Sequence, residues 1–105
     1  SIPELDANQM VALARRGVDP EDVGAIHKLG FGPYSIDDLV KLRENNAHAD
    51  LFRGFKEAGL TAVDAEEAAQ AARHGLNGHH VAEARKYGPN LTLPQMIRLK
   101  QAGVI

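Results

Sequence analysis

The chain has 105 residues, of which 44% are apolar and 25% are charged, and its formal net charge is −2. This length suits one domain, and the slight acidic balance lacks the positive charge that a general binder of nucleic-acid phosphates needs. Cysteine is absent, which excludes disulfides and thiolate metal ligands, and no apolar run approaches the roughly 18 residues that span a bilayer. We expect a non-membrane, cytoplasmic protein. Because the chain starts at Ser1 and not at Met, we also expect it to be part of a longer protein.

Four segments begin with a short polar residue that is followed, three residues later, by an acid or an amide. The leading residues are Asp6, Ser35, Asp64 and Thr92. This spacing is typical of a capping box, in which each side chain accepts a hydrogen bond from the other residue's backbone N–H. The pattern predicts helices over Ala7–Arg16, Ile36–Asn45, Ala65–His74 and Leu93–Ala102.

Three further helices are predicted between these four, over Pro20–Leu29, Ala49–Ala58 and Gly78–Tyr87. Asp19 and Asn77 are good N-caps, whereas His48 is a weak one. Asn46 replaces the glycine of the turn before it, and asparagine tolerates the left-handed backbone that such a turn requires. We expect Gly30, Gly59 and Gly88 to end these three helices in the same left-handed conformation.

The helices recur with a period of about 29 residues, which places Leu13 on Leu42 and Val23 on Phe52. Self-similarity at such a period is the signature of a stacked repeat. The predicted fold is all-α: about three and a half tandem helical hairpins, or seven short helices, in one compact array. The repeats of this single domain, residues 1–105, fall near 6–34, 35–63, 64–91 and 92–105.

Two predictions concern packing within this array. An apolar residue follows each hairpin turn and is expected to lie beneath it; these residues are Val18, Ala47, Leu76 and Val104. The alanine-rich helix at 65–74 is expected to be central, because small side chains let neighbouring helices approach on two sides.

Charged side chains follow the helix ends, with acids at the starts and bases near the finishes, as the helix dipole favours. In an antiparallel hairpin we expect Arg15 and Arg16 to lie near Glu21 and Asp22. The bases are then neutralised locally and do not form the continuous positive stripe of a nucleic-acid-binding protein.

The pattern of Leu13, Gly17, Val18, Val23 and Ile26 resembles a DNA-binding helix-turn-helix, which has a glycine at its turn and apolar residues in the second helix. This resemblance implies a recognition helix at 20–29, but that helix begins with two acids that phosphates would repel. A better candidate is the third unit, with contacts from Asn77, His79, His80, Arg73 and Arg85. A helical-repeat reader similar to transcription-activator-like effectors would also need a variable residue pair at a fixed place in each repeat, which we do not find.

No catalytic or metal-binding pattern emerges. His79 and Glu83 are one helical turn apart and His74 is nearby, but zinc normally takes four ligands, and these histidines are better interpreted as solvated turn residues. The two serines are a chain end and a helix cap, and the acid pairs serve helix starts. We therefore expect no enzyme activity, cofactor, metal or small-molecule substrate.

The favoured interpretation is a protein-binding or scaffolding module, because helical arrays present extended surfaces. A nucleic-acid-binding domain and a structural spacer are the alternatives. No helix follows the turn at Gly103 to cover the last apolar stripe. We therefore predict self-association or partner binding through an interface formed by Leu93, Met96, Ile97, Val104 and Ile105.

Overall fold

The computed structural model describes residues 6–105, and within this range the chain is all-α with no strand. Seven short helices occur in chain order: α1 (Ala7–Arg15), α2 (Pro20–Lys28), α3 (Ile36–Glu44), α4 (Ala49–Glu57), α5 (Ala65–Arg73), α6 (Gly78–Ala84) and α7 (Leu93–Gln101). Every predicted start is confirmed, and six ends lie within one residue of the prediction. The end of α6 is the exception, since the helix stops at Ala84 and not at Tyr87.

The N-caps of the odd-numbered helices form as predicted. The caps of α1, α3, α5 and α7 each accept a hydrogen bond from the backbone N–H three residues on; these caps are Asp6, Ser35, Asp64 and Thr92. The return bond that completes a capping box is present in α1, α5 and α7. In α3 the third residue is Asp38, and only the Ser35 half of the box forms. The helix starts are therefore fixed by side chains adjacent in sequence.

The hairpin turns share one backbone geometry. In each turn the N–H of the apolar residue bonds to a carbonyl five residues earlier, at 2.8–2.9 Å; the four donors are Val18, Ala47, Leu76 and Val104. This is the Schellman motif, which requires a left-handed residue just before the donor. Asn46 supplies it at φ 58°, and glycine does so in the other three turns. The donors are 29, 29 and 28 residues apart, so the backbone recurs with the spacing of the sequence.

The even-numbered helices end in two different ways. Gly30 and Gly59 are left-handed, at φ 94° and 90°, as predicted, whereas the prediction for Gly88 is wrong. After the first two glycines the next residue donates its N–H back to the helix. The residue after Gly88 is Pro89, which has no N–H, so the motif cannot close there. The N–H groups of Tyr87 and Gly88 instead share the carbonyl of Ala84, which ends α6 early.

The helices form two rows. The odd-numbered helices α1, α3, α5 and α7 pack side by side, and α2, α4 and α6 pack in the same order in a second row. The array measures 45 × 21 × 16 Å. As predicted, the alanine-rich helix α5 is central in its row and packs against both α3 and α7, with Ala68, Ala69 and Ala71 fully buried. The core between the rows is mostly aliphatic, with Phe52 and Phe55 as its largest buried side chains.

Hydrogen bonds and an ion pair join the first unit to the second. Asp22 of α2 accepts a 2.8 Å hydrogen bond from the N–H of Ala49 at the start of α4, and its other oxygen lies 3.1 Å from Nδ1 of His48. This carboxylate supplies the cap that His48 itself does not provide. The expected partnership of Asp22 with Arg15 and Arg16 is therefore corrected: Arg16 pairs with Asp37 of α3 at 3.6 Å.

Candidate protein-binding surface

The predicted interface on α7 is largely internal. Leu93, Met96 and Ile97 are 3%, 0% and 5% exposed, so these three side chains belong to the core and are not available to a partner. Our expectation that this stripe stays open is corrected for a physical reason: α7 contacts both α5 and α6, so one helix closes the ends of both rows.

An apolar surface does remain just beyond these residues. Val104 is 43% exposed, and Leu99 and Ile105 are half-buried beside the core. We call these three residues the terminal patch. Val104 and Ile105 belong to the interface predicted from sequence, whereas Leu99 is not part of that predicted interface. The prediction that Val104 lies beneath its turn is wrong, although the turn itself forms.

Equivalent positions in the earlier units are covered. Leu13, Leu42 and Ala71, which correspond to Leu99, are at most 2% exposed. The three residues equivalent to Val104 are at most 5% exposed; they are Val18, Ala47 and Leu76. The turn at Val104 thus has the same backbone geometry as three turns whose apolar residue is buried, whereas Val104 itself is exposed.

The first unit shows which helices surround a buried turn residue. A small cavity of about 50 Å³ lies beside Val18, and its apolar lining comes from Val23 and Ile26 of α2 and from Leu39 and Leu42 of α3. All four side chains are buried. The second helix of the same hairpin and the first helix of the next unit therefore both line the space beside Val18.

The residues proposed to contact nucleic acid are largely engaged within the protein. Asn77 caps α6, with Oδ1 accepting from the N–H groups of His79 and His80 at 3.0 and 3.3 Å. His80 Nδ1 in turn accepts from the N–H of Asn77 at 3.1 Å, which completes a capping box with an imidazole in place of an amide. His79 pairs with Glu83 at 2.9 Å.

The surroundings of His80 favour its neutral form. Partial burial, with a smaller contribution from Lys100 and His79, lowers the pKa of His80 from its ordinary value of 6.5, although Glu83 acts in the opposite direction. The geometry agrees, because a ring nitrogen that accepts a backbone N–H must be unprotonated. Protonation of Nδ1 would remove the return bond of the α6 capping box.

The two arginines of this set lie at opposite ends of α6, because Arg73 ends α5 four residues before Asn77, whereas Arg85 follows the last residue of α6. Arg73 is exposed at the end of α5. Arg85 follows the end of α6 and is half-buried beside Gly59, which ends α4; its Nε is buried without a hydrogen-bond partner. The length of α6 therefore separates Arg85 from Asn77.

Two open grooves on the array carry carboxylates. The larger, of about 560 Å³, runs between the α2–α3 and α4–α5 links and is bordered by Asp38, Asp64 and Glu67. Tyr34 lies in this groove and donates its hydroxyl proton to the carbonyl of Val63. Burial, reinforced by Asp64, Asp38 and Glu67, raises the pKa of Tyr34 to about 12. A second groove of about 480 Å³, between α4 and α6, contains Asp50 and Glu57. Carboxylates therefore line both grooves, and Asn77 and His79 also line the second.

The fold and this surface define an all-α protein of short helices packed in two rows. No protein-family model matches the chain, and no curated protein and no solved structure is found to be similar to it. Among residues 6–105, no group of three or more histidine, cysteine or acidic side chains could hold a metal ion. None of the helices in that range has the length and apolar character needed to cross a membrane.

Proposed function

We propose that the chain is a non-enzymatic protein-binding module, and the exposed terminal patch is the observation that carries this proposal. Val104 is 43% exposed at a position whose three equivalents are buried. The fold buries this apolar side chain in the other units and exposes it here. When a partner removes it from water, the free energy falls by about 25 cal/mol per Å² of apolar surface buried.

The charges favour a protein partner over nucleic acid. Two basic side chains are engaged with neighbouring units, since Arg43 Nε donates to the carbonyl of Gly17 and Lys41 pairs with Glu66 at 3.5 Å. Both grooves carry acids, and the net charge is −2. A binder of the phosphate backbone depends on unpaired bases gathered on one face.

Affinity capture followed by reconstitution tests this function. We expect the chain to retain a specific protein from a nuclease-treated extract of the source organism, and to form the same complex when both proteins are purified. In fluorescence anisotropy we expect duplex DNA to bind no tighter than the nonspecific range of ~10⁻⁴–10⁻⁶ M at physiological salt. A sub-micromolar, sequence-dependent DNA complex would instead establish the nucleic-acid alternative. The cytoplasmic location remains a prediction, which imaging of the tagged full-length protein would test.

A further inference from the structure

The larger of the two grooves lies between the α2–α3 link and the α4–α5 link, and we call it the link groove. Its volume of about 560 Å³ is typical of sites that hold a ligand. Most of its lining residues are apolar or glycine, and Pro33 and Ala62 are exposed among them. Tyr34 joins its two sides, because the Tyr34 hydroxyl donates to the carbonyl of Val63. The link groove is therefore formed before any ligand binds, and it has apolar surface to offer.

One side of the link groove has backbone donors that the fold does not use. Thr61, Ala62 and Val63 line the groove, and none of their N–H groups donates to another group within residues 6–105. The N–H groups on either side of this run, those of Leu60 and Asp64, are both bonded. Backbone N–H groups in a folded protein normally have a partner. A peptide laid along this link in an extended conformation would supply carbonyl acceptors, as in recognition by strand addition.

The charge of the link groove is negative, because Asp38, Asp64 and Glu67 border it and no described lining residue is basic. Asp64 and Glu67 each use one oxygen in the capping box of α5, so the second oxygen of each stays available. The carboxylate of Asp38 makes no hydrogen bond or ion pair within residues 6–105, since only the Ser35 half of the α3 box forms. All three carboxylates act on Tyr34, whose pKa they help burial to raise. Their fields therefore meet at one place in the groove.

From the apolar lining, the free donors and the complementary charge, we infer that the link groove binds an extended, arginine-containing segment of a partner protein. The main chain of the segment pairs with the N–H groups of residues 61–63, and its arginine side chains lie against the bordering carboxylates. Arginine fits better than lysine, because a planar guanidinium has five donors and contacts more than one carboxylate at once. Its aliphatic stem covers apolar surface at the same time. The inference rests on the proposed function, since its ligand is a protein, and it adds a second site with a different chemistry.

Two short peptides test the need for charge. The probe is an acetylated, amidated pentapeptide in which two arginines alternate with three alanines, and its control has citrulline, which is uncharged and similar in shape, in place of both arginines. Titrated into the full chain and followed by amide NMR, the probe should give saturable shifts at Thr61, Ala62 and Val63 and slow their hydrogen exchange. The control should bind at least about tenfold more weakly, because hydrogen bonds between charged groups are stronger than neutral ones. The inference is wrong if the probe gives no saturable shift at these amides, or if the two peptides bind equally.

A pair of matched variants tests the carboxylates of the link groove. Asp38→Asn with Glu67→Gln removes two charges there and leaves the cap at Asp64 in place, and glutamine replaces glutamate in a capping box. Asp50→Asn with Glu57→Gln makes the same two chemical changes in the other groove. The first variant should bind the probe at least about fivefold more weakly, and the second should bind it as wild type does. Urea midpoints check that both variants are folded. Equal weakening in the two variants would show a general attraction to acidic surface and would overturn the inference.

Three further outcomes separate this inference from the proposed function. If a captured partner binds wild type and the link-groove variant equally well but is lost with Val104→Asp, the chain is a protein-binding module and the inference is overturned. If the complex needs the groove carboxylates and tolerates Val104→Asp, the link groove is supported and the terminal patch is not the docking site. If acetyl-arginine amide binds as tightly as the pentapeptide, the site takes a small cation, and the inference of an extended segment is overturned.

Discussion

The contact between α4 and α6 gives the sharpest test of the packing, because it depends on Gly78. A Cβ atom at this position would lie 2.3 Å from the carbonyl oxygen of Gly54 and 2.8 Å from its Cα. Both atoms belong to the backbone, so no side chain can rotate away. Ordinary contact begins near 3.4 Å, and the two helices would have to separate by about 1 Å to admit a methyl group.

We expect Gly78→Ala to lower the free energy of unfolding by about 1–3 kcal/mol, the usual effect of overpacking in a close-packed core. A separation of this size also forfeits a substantial part of the dispersion energy between the helices. The better helix propensity of alanine returns at most ~1 kcal/mol. Urea denaturation with an unchanged m-value measures the difference.

Gly54→Ala is the matched control on the other side of the same contact. Its Cβ would lie 3.4 Å from the nearest atoms of Gly78, which is tolerable, and Gly54 is inside a helix, where alanine is favoured by ~1 kcal/mol. We therefore expect Gly54→Ala to change stability by less than about 1 kcal/mol in either direction. If Gly78→Ala proves as stable as wild type, or if both variants lose the same amount, the described approach of α4 and α6 is incorrect.

Three other predictions use the same urea measurement. Leu42→Ala should cost about 2–5 kcal/mol, and Leu99→Ala clearly less because Leu99 is half-buried; equal losses would contradict an open terminal patch. Asp22→Ala should cost about 0.5–2 kcal/mol by removing the cap on Ala49, and Asp22→Asn should retain most of it. Because the pKa of His80 is lowered in the fold, its contribution to stability is present above pH ~6.5 and is lost as the pH falls through that lowered value. His80→Gln should keep the cap without this pH dependence, and an unchanged pH profile would refute the assignment.

Features that depend on neighbours in sequence could be predicted from the sequence alone. The helix starts follow from side chains that bond within three residues, and the hairpin turns from bonds spanning five. Asn46 shows how specific this reasoning is, since its left-handed backbone follows from its place in the period. The end of α6 was missed although the signal was present: Pro89 cannot donate the N–H that closes the turn.

Only some residues of the candidate surface could be predicted in the same way. The sequence identified Val104 and Ile105 as interface residues, but the predicted interface did not include Leu99. The burial of a side chain depends on which element packs against that face of the helix. The period of the sequence does not show whether such an element is present. The sequence likewise left open which side of α7 packs inward, and contacts with both α5 and α6 bury Leu93, Met96 and Ile97.

By itself, the sequence determined the helical class, the element order and the spacing of the turns, because short-range hydrogen bonds and apolar periodicity fix them locally. Only the tertiary structure decided which charged groups meet and which apolar groups stay open. Asp22 caps a helix that begins 27 residues later, and Arg16 reaches Asp37 and not the acids of its own hairpin. Such contacts depend on how two rows of helices stack, and that is set by packing between residues far apart in the chain.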